Sequence, residues 1–390
     1  MISSVCKKTL YLLRTALGID DLPENFDVSH NEALLIYDFA NRHDVIHLIS
    51  FALEKEHLLN TKDEKLKDLR QVYLKSIRKC ARQDYCIDEM GKSFSDAGIP
   101  YIPLKGLVMR DHYPERWMRT SGDIDVLVRK NDYDKAADVV KNILHYKQLG
   151  DCGYHKSFSN DKNVEVEIHN SISIDDKKIG TETLDKIWET STSAGEGTLR
   201  RNMRDDFYYF HHIFHMLTHF ENGGIGLRFF IDLYLLSCMQ IGEDERAARV
   251  AIIKENGLEK FEAGTLRLAE YFFEDDIEKE PEDEALKQMV EYVIGAGLYG
   301  TVSQRVVYKS EKSGGRIHYI KRRIFMPYDS LKRSYPILKK HKILTPIYEV
   351  IRWCRIIFKK RDESSNKEIK VIFTNQDEKD FTKMREMLGL

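Results

Sequence analysis

The stretch SGDIDVLV at residues 121–128 constrains this chain more than any other. Ile124, Val126, Leu127 and Val128 are good β-formers, yet Asp123 and Asp125 stand at the front of the same predicted strand. Side chains alternate across a strand, so the two carboxylates share one face, roughly 6.6 Å apart at a rise of ~3.3 Å per residue. Carboxylates that close repel, and burying them unpaired is costly. A cation between them is therefore expected.

A second acidic strand sharpens that expectation. In VEVEIHNSI (164–172), Glu165, Glu167 and His169 fall on one face, and Val164, Val166 and Ile168 on the other. If this strand pairs beside SGDIDVLV, one of its glutamates completes a cluster of three carboxylates. The register to the following Ile-His favours Glu167, with Glu165 as the alternative. Three hard oxygen ligands at one end of a sheet suit Mg²⁺, which leaves positions for water and phosphate oxygens. Two such ions ~3.5–4 Å apart can hold the attacking and leaving oxygens of an in-line phosphoryl displacement. Upstream, Lys105-Gly106 sits between a short extended segment and a helix start. There the glycine permits close backbone approach, helix N–H groups attract phosphate, and Lys105 adds a mobile positive charge.

These motifs lie in a compact α/β unit inside an otherwise helical chain. Residues 1–95 read as helical, with Leu34, Leu35, Phe39, Val45, Leu48 and Ile49 at near-helical spacing and a second pattern over 66–95. Pro100 and Pro103 make IPYIPL extended. LVMRDHY reads as a short helix, and NDYDKAADVVKNILHY (131–146) as a capped one. The order across the unit is strand, helix, strand, helix, strand, strand, the fifth element being the Gly-flanked GYHKSFSN. Helix returns from roughly 205 to 300. The expected division is 1–95 helical, 96–200 α/β core, 201–310 helical, and 311–390 a basic region and tail with a strand-like VIF at 371–373.

Bulk properties narrow the setting. A net charge of −2 over 390 residues gives no global pull toward nucleic acid. Six dispersed cysteines with no CxxC pair argue against a disulfide framework and a structural zinc site. The start lacks the apolar run of a signal peptide, and no stretch is long enough to span a bilayer, so a cytoplasmic location is expected.

LKG, YPERWMRTSGDIDVLV and VEVEIHN together resemble the uncharacterised bacterial branch of the nucleotidyltransferase superfamily, which shares the DNA polymerase beta palm-like fold. The resemblance extends to ANRHDVIHLI (40–49), FHMLTHFENGGIGLRFFIDLYLL (214–236) and GAGLYGT (295–301). It implies an α+β fold, a palm-like core with helical domains before and after it, and transfer of a nucleoside monophosphate from an NTP to a hydroxyl acceptor with release of pyrophosphate. Carried over, Asp123 and Asp125 bind two Mg²⁺ ions, with Mn²⁺ as the alternative. Glu167 is the third acid and helps deprotonate the acceptor, and Gly106 lines the triphosphate with Ser121 nearby. The usual Gly-Ser is Lys-Gly here, so a serine contact is missing and Lys105 is the candidate to replace it.

Other residues carry two readings each. Arg119 neutralises triphosphate charge bidentately or pairs with a nearby acid. His169 contacts the acceptor or leaving group, or is structural. His211, His215 and His219 share a helical face without an intervening acid, which favours a structural or substrate-pocket role over a separate metal site. Arg228 and Asp232, four apart, bridge within their helix or serve packing. Residues 316–361 carry fourteen Lys or Arg against Asp329 and Glu349. That segment is a helical cap facing water or the acidic run 270–284, or it touches the inner face of a membrane; nucleic acid is the least favoured partner. Two rivals to catalysis remain: a nucleotide-sensing module that keeps the palm, and a membrane-surface factor in polysaccharide assembly. The base preference, the acceptor and the oligomeric state are open.

Overall fold

The computed structural model describes residues 2–58, 64–172, 180–221, 224–281, 283–297, 386–390 and part of 318–358. Four helices open the chain: α1 (Ser4–Ala16), α2 (His30–Arg42), α3 (Ile46–Lys55) and the long α4 (Glu64–Asp96). Ser29 and Glu32 form a reciprocal capping box that starts α2. The buried face of α2 is Ala33, Ile36, Phe39 and Ala40; Leu34 is only half-buried and Leu35 is exposed, which corrects the expected face.

A five-stranded sheet follows, built from β1 (Tyr101–Pro103), β2 (Asp123–Val128), β3 (Lys147–Asp151), β4 (His155–Ser159) and β5 (Glu165–His169). Its order is β1-β2-β5-β4-β3. Only the central β2–β5 pair is parallel. Its register places Asp123 opposite Glu165 and Asp125 opposite Glu167. Between β1 and β2 lie α5 (Gly106–Met109) and two short 3₁₀ turns. Between β2 and β3, α6 (Tyr133–Asp138) runs into a π turn, Val139–Ile143. The expected helix over 131–146 is thus shorter and irregular. β3 (KQLGD) was not foreseen, because it lacks β-branched and aromatic residues.

One face of the sheet is apolar. Ile124, Val126, Val128, Val166 and Ile168 pack with Met90 and Phe94 of α4 and with Ala136 and Val140 beyond. The other face carries the acids. After two short helices, α7 (Thr181–Asp185) and α8 (Ile187–Thr190), and a two-stranded ribbon, β6 (Thr192–Ser193) with β7 (Arg201–Asn202), come α9 (Asp205–Glu221), α10 (Leu227–Ser237), α11 (Glu243–Glu255), α12 (Glu259–Phe273) and α13 (Glu284–Ala296). These last five share one large core with α1–α3, filled by residues such as Leu13, Phe210, Phe230 and Phe272. Leu388 is buried and would contact any Cβ placed at Gly264 of α12. The strand-like VIF at 371–373 and most of GAGLYGT lie outside the described residues. All six cysteines are free.

In the acidic run, Glu278 accepts from Lys7 and Tyr11, and Asp275 pairs with Arg267.

Candidate active site

The alternation of β2 turns Asp123 and Asp125 onto the sheet face opposite the apolar core, and β5 adds Glu167 directly beside Asp125. Ligand oxygens of Asp123, Asp125 and Glu167 lie within 4.8 Å of one another. Glu165, one pleat earlier, is exposed and outside this group. A cluster of hard oxygens at this spacing fits a divalent cation.

The side chains that meet these acids are basic. Lys105 Nζ lies 2.9 Å from Asp125 Oδ1, and His169 Nε2 lies 2.7 Å from the same oxygen and 3.3 Å from Glu167 Oε2. Lys105 has φ 47° and ψ −121°, a conformation costly for a side-chain-bearing residue. Gly106, which follows, packs so closely that a Cβ there would stand 2.9 Å from Ser121 Cβ. α5 is a single turn, so its aligned peptide dipoles are few.

Electrostatics divides the acids. Burial and the adjacent Asp125 charge push the Asp123 carboxyl up to about 6. Burial would also raise Asp125, but the Lys105 ammonium and His169 hold it well below the usual carboxylate range. The His169 hydrogen bond holds Glu167 below its ordinary value. Burial opposes charge on His169, yet its bonds to Asp125 and Glu167 win and raise it.

Helix α9 faces the site. His211, which feels the charges of Lys105, Asp125 and His169, is pushed down to about 3, chiefly by burial. His211 and His215 stack with ring centroids 6.3 Å apart, and His215 Nε2 lies 3.2 Å from His219 Nε2.

Other expected site residues are engaged with partners of their own. Arg119 is buried, and its Nε donates to Asp232 Oδ1 and Oδ2 at 2.7 and 2.9 Å. Tyr113 donates to Asp232 Oδ1 at 2.7 Å. The triphosphate reading of Arg119 gives way to this pairing with an acid. The bridge between Arg228 and Asp232 does not form, because Arg228 pairs with Asp44. Ser121 Oγ accepts from Arg110 Nη2 at 3.0 Å.

Two groups escaped sequence reading. His155, in the Gly-flanked segment, stands opposite His169 across the β4–β5 pair. Lys75, Arg78, Lys79 and Arg82 of α4 join Lys162 in lining a cavity of about 380 Å³. Lys79 lies close enough to feel the charges of Asp123 and Glu165. The i, i+3, i+4, i+7 spacing of these four cations on α4 was the available signal.

A mixed sheet that presents three clustered carboxylates between helical layers is consistent with a nucleotidyltransferase domain. The family model described as uncharacterised nucleotidyltransferase matches residues 29–274, and the chain belongs to that family. The match supports a transferase that moves nucleoside monophosphates in general. Comparison with curated proteins finds no match.

Proposed function

We propose that the chain transfers a nucleoside monophosphate from an NTP to a hydroxyl acceptor, using two divalent cations, Mg²⁺ by default and Mn²⁺ as the alternative. The observation that carries this reading is the parallel register that sets Asp125 beside Glu167, with Asp123 completing the cluster inside the family-matched segment. Asp123, Asp125 and Glu167 would hold the cations, whose charge offsets that developing on the phosphoryl oxygens. The acceptor oxygen bonds to the α-phosphorus as the bond to the pyrophosphate oxygen breaks. Glu167 is placed to take the acceptor proton, and His169 fixes that carboxylate by hydrogen bonding. Lys105 and the cations of α4 supply positive charge for the triphosphate, a part that Arg119 is too deeply paired to play.

Calorimetric titration with non-hydrolysable ATP, GTP, CTP and UTP analogues tests this. Binding should require Mg²⁺ or Mn²⁺ and vanish in Asp123→Ala/Asp125→Ala. Lys79→Ala with Arg82→Ala should weaken it about tenfold, or ~1.4 kcal/mol. A folded protein that binds none of the four with either cation would overturn the reading.

A second reading concerns location and rests on α14 (Thr345–Phe358). This helix is inverted. Glu349 is buried and accepts from Arg352 Nε and the Met326 N–H, while Ile347, Val350 and Ile351 are exposed, as is Ile343 just before. Lys340 and Lys342 are exposed beside them. An outward apolar face with a basic flank suits an anionic bilayer surface. No helix among the described residues is long and apolar enough to cross one. The protein should pellet with vesicles of mixed phosphatidylcholine and phosphatidylglycerol but not with phosphatidylcholine alone. Ile347→Asp/Val350→Asp should abolish pelleting; unchanged pelleting of that variant, or none of the wild type, would refute the docking.

A further inference from the structure

The acidic face carries a second set of ligating atoms of different chemistry. His155 opens β4 and is the direct cross-strand partner of His169 on β5; Glu167 stands two residues before His169 on the same face. Opposite residues in an antiparallel pair hold their Cβ atoms about 4.5–5.5 Å apart, so both imidazoles project side by side over the Glu167 carboxylate. Glu167 Oε2 lies 3.3 Å from His169 Nε2, and its other oxygen lies 3.7 Å from His155 Nε2. One ligating atom from each of the three falls within 4.8 Å of the others.

The two rings form a tilted pair, with centroids 5.4 Å apart and planes at 42°. His155 packs edge-on against Tyr154, with ring centroids 4.6 Å apart, but its nitrogens are not held by the protein's hydrogen bonds. Its Nδ1 is buried without a hydrogen-bond partner, and its Nε2 stands beyond hydrogen-bond reach of Glu167. With no hydrogen bond to Glu167, Nε2 keeps its capacity to ligate an ion between the two imidazoles and the carboxylate.

We propose that His155, Glu167 and His169 form a binding position for a transition-metal dication such as Zn²⁺, Mn²⁺ or Co²⁺, adjoining the all-oxygen position, the ion displacing the proton through which His169 Nε2 meets Asp125 and Glu167. Two imidazoles and one carboxylate, with remaining positions open, make a ligand set that favours these ions over Mg²⁺, which prefers oxygen. Glu167 offers one oxygen to each imidazole and also belongs to the carboxylate cluster, so it can bridge the two positions. This position is additional to the cations that Asp123, Asp125 and Glu167 would hold. The inference rests on the proposed nucleotidyl transfer only in sharing Glu167.

Cobalt titration of the full chain without nucleotide tests it. Co²⁺ should bind with the visible d–d absorption of a nitrogen-bearing site of low coordination number, be displaced by Zn²⁺, and resist a large excess of Mg²⁺. His155→Ala should weaken Co²⁺ binding at least tenfold while Mg²⁺-dependent binding of the NTP analogue persists. His155→Gln, which keeps the strand polar, should behave alike, and thermal melting verifies that both variants fold. Asp123→Asn should show the reverse pattern, losing analogue binding and retaining the cobalt spectrum. The inference falls if both His155 variants leave cobalt affinity unchanged, if Mg²⁺ displaces cobalt at equal concentration, or if cobalt fails to bind a protein that binds the Mg²⁺–analogue complex. Cobalt binding in a protein that binds no analogue would keep this site and remove nucleotidyl transfer instead.

Discussion

Arg119→Met should lower the free energy of unfolding by about 3–5 kcal/mol, the range for breaking one partner out of a buried ion pair. Asp232 is 1% exposed, and its carboxylate is satisfied by two bonds from Arg119 and one from Tyr113. Removing the guanidinium leaves a buried charge facing a single hydroxyl. The pair ties the segment entering β2 to α10, so the damage extends across the interface between sheet and helices. Arg119→Met/Asp232→Leu should recover most of the loss, because an apolar pair of similar volume carries no desolvation penalty. Urea unfolding of wild type, single and double variants measures all three. Unchanged stability in the single variant, with NTP affinity lost, would instead return Arg119 to a nucleotide-binding role.

Acid should unfold the protein well above the pH at which carboxylates alone would do so. His43 and His47 are buried and each is pushed from 6.5 to about 4, chiefly by burial. His43 Nδ1 accepts the backbone N–H of Leu227, the first residue of α10, and its Nε2 bonds the Ile294 carbonyl oxygen. That pattern fixes a neutral ring with the proton on Nε2, and protonating Nδ1 would remove the cap of α10. His47 Nε2 bonds the Met118 carbonyl oxygen at 2.7 Å. In the unfolded chain both histidines bind protons below pH 6.5; in the folded chain they do so only near 4. Between those values the unfolded state holds more protons, so stability falls as pH falls. At 1.36 kcal/mol per unit, each histidine accounts for roughly 3 kcal/mol, fully lost once the pH passes below about 4. Urea midpoints from pH 7.5 to about 4 should therefore decline with onset near 6.5, and His47→Gln should blunt the slope. A flat profile through that window would show that neither ring is buried neutral.

The parts of the molecule legible in the sequence were those where local pattern and tertiary need coincide. β2 and β5 combine β-formers on one face with acids on the other, and both strands stand where the alternation puts them. Leu35 was misplaced because α2 carries apolar residues around more than one face, and spacing cannot tell which face meets α1 and α3. Ion-pair partners more than a hundred positions apart were not readable. Arg119 meets Asp232 across 113 positions, and Arg228 meets Asp44 across 184; only folded geometry chooses those acids over a neighbour four residues away. His155 was missed for a similar reason. Its segment reads as a strand, but its meaning comes from standing opposite His169, a register the sequence does not give. The histidines in ANRHDVIHLI carried family likeness but no visible purpose; as internal hydrogen-bonding groups buried in the helical layer, they now have one.

The direct alignment of Asp125 with Glu167 has a wider consequence. Ile124, Val126, Val166 and Ile168 fill the apolar layer beneath the same two strands. Sliding β5 by one residue would carry Glu167 into that layer and bring Val166 out among the acids. The same interdigitation of methyl groups that expels water from the core therefore acts as the ruler for the acidic face. The carboxylates need no separate device to find one another, and the spacing of the site is as rigid as the oil-like layer that measures it.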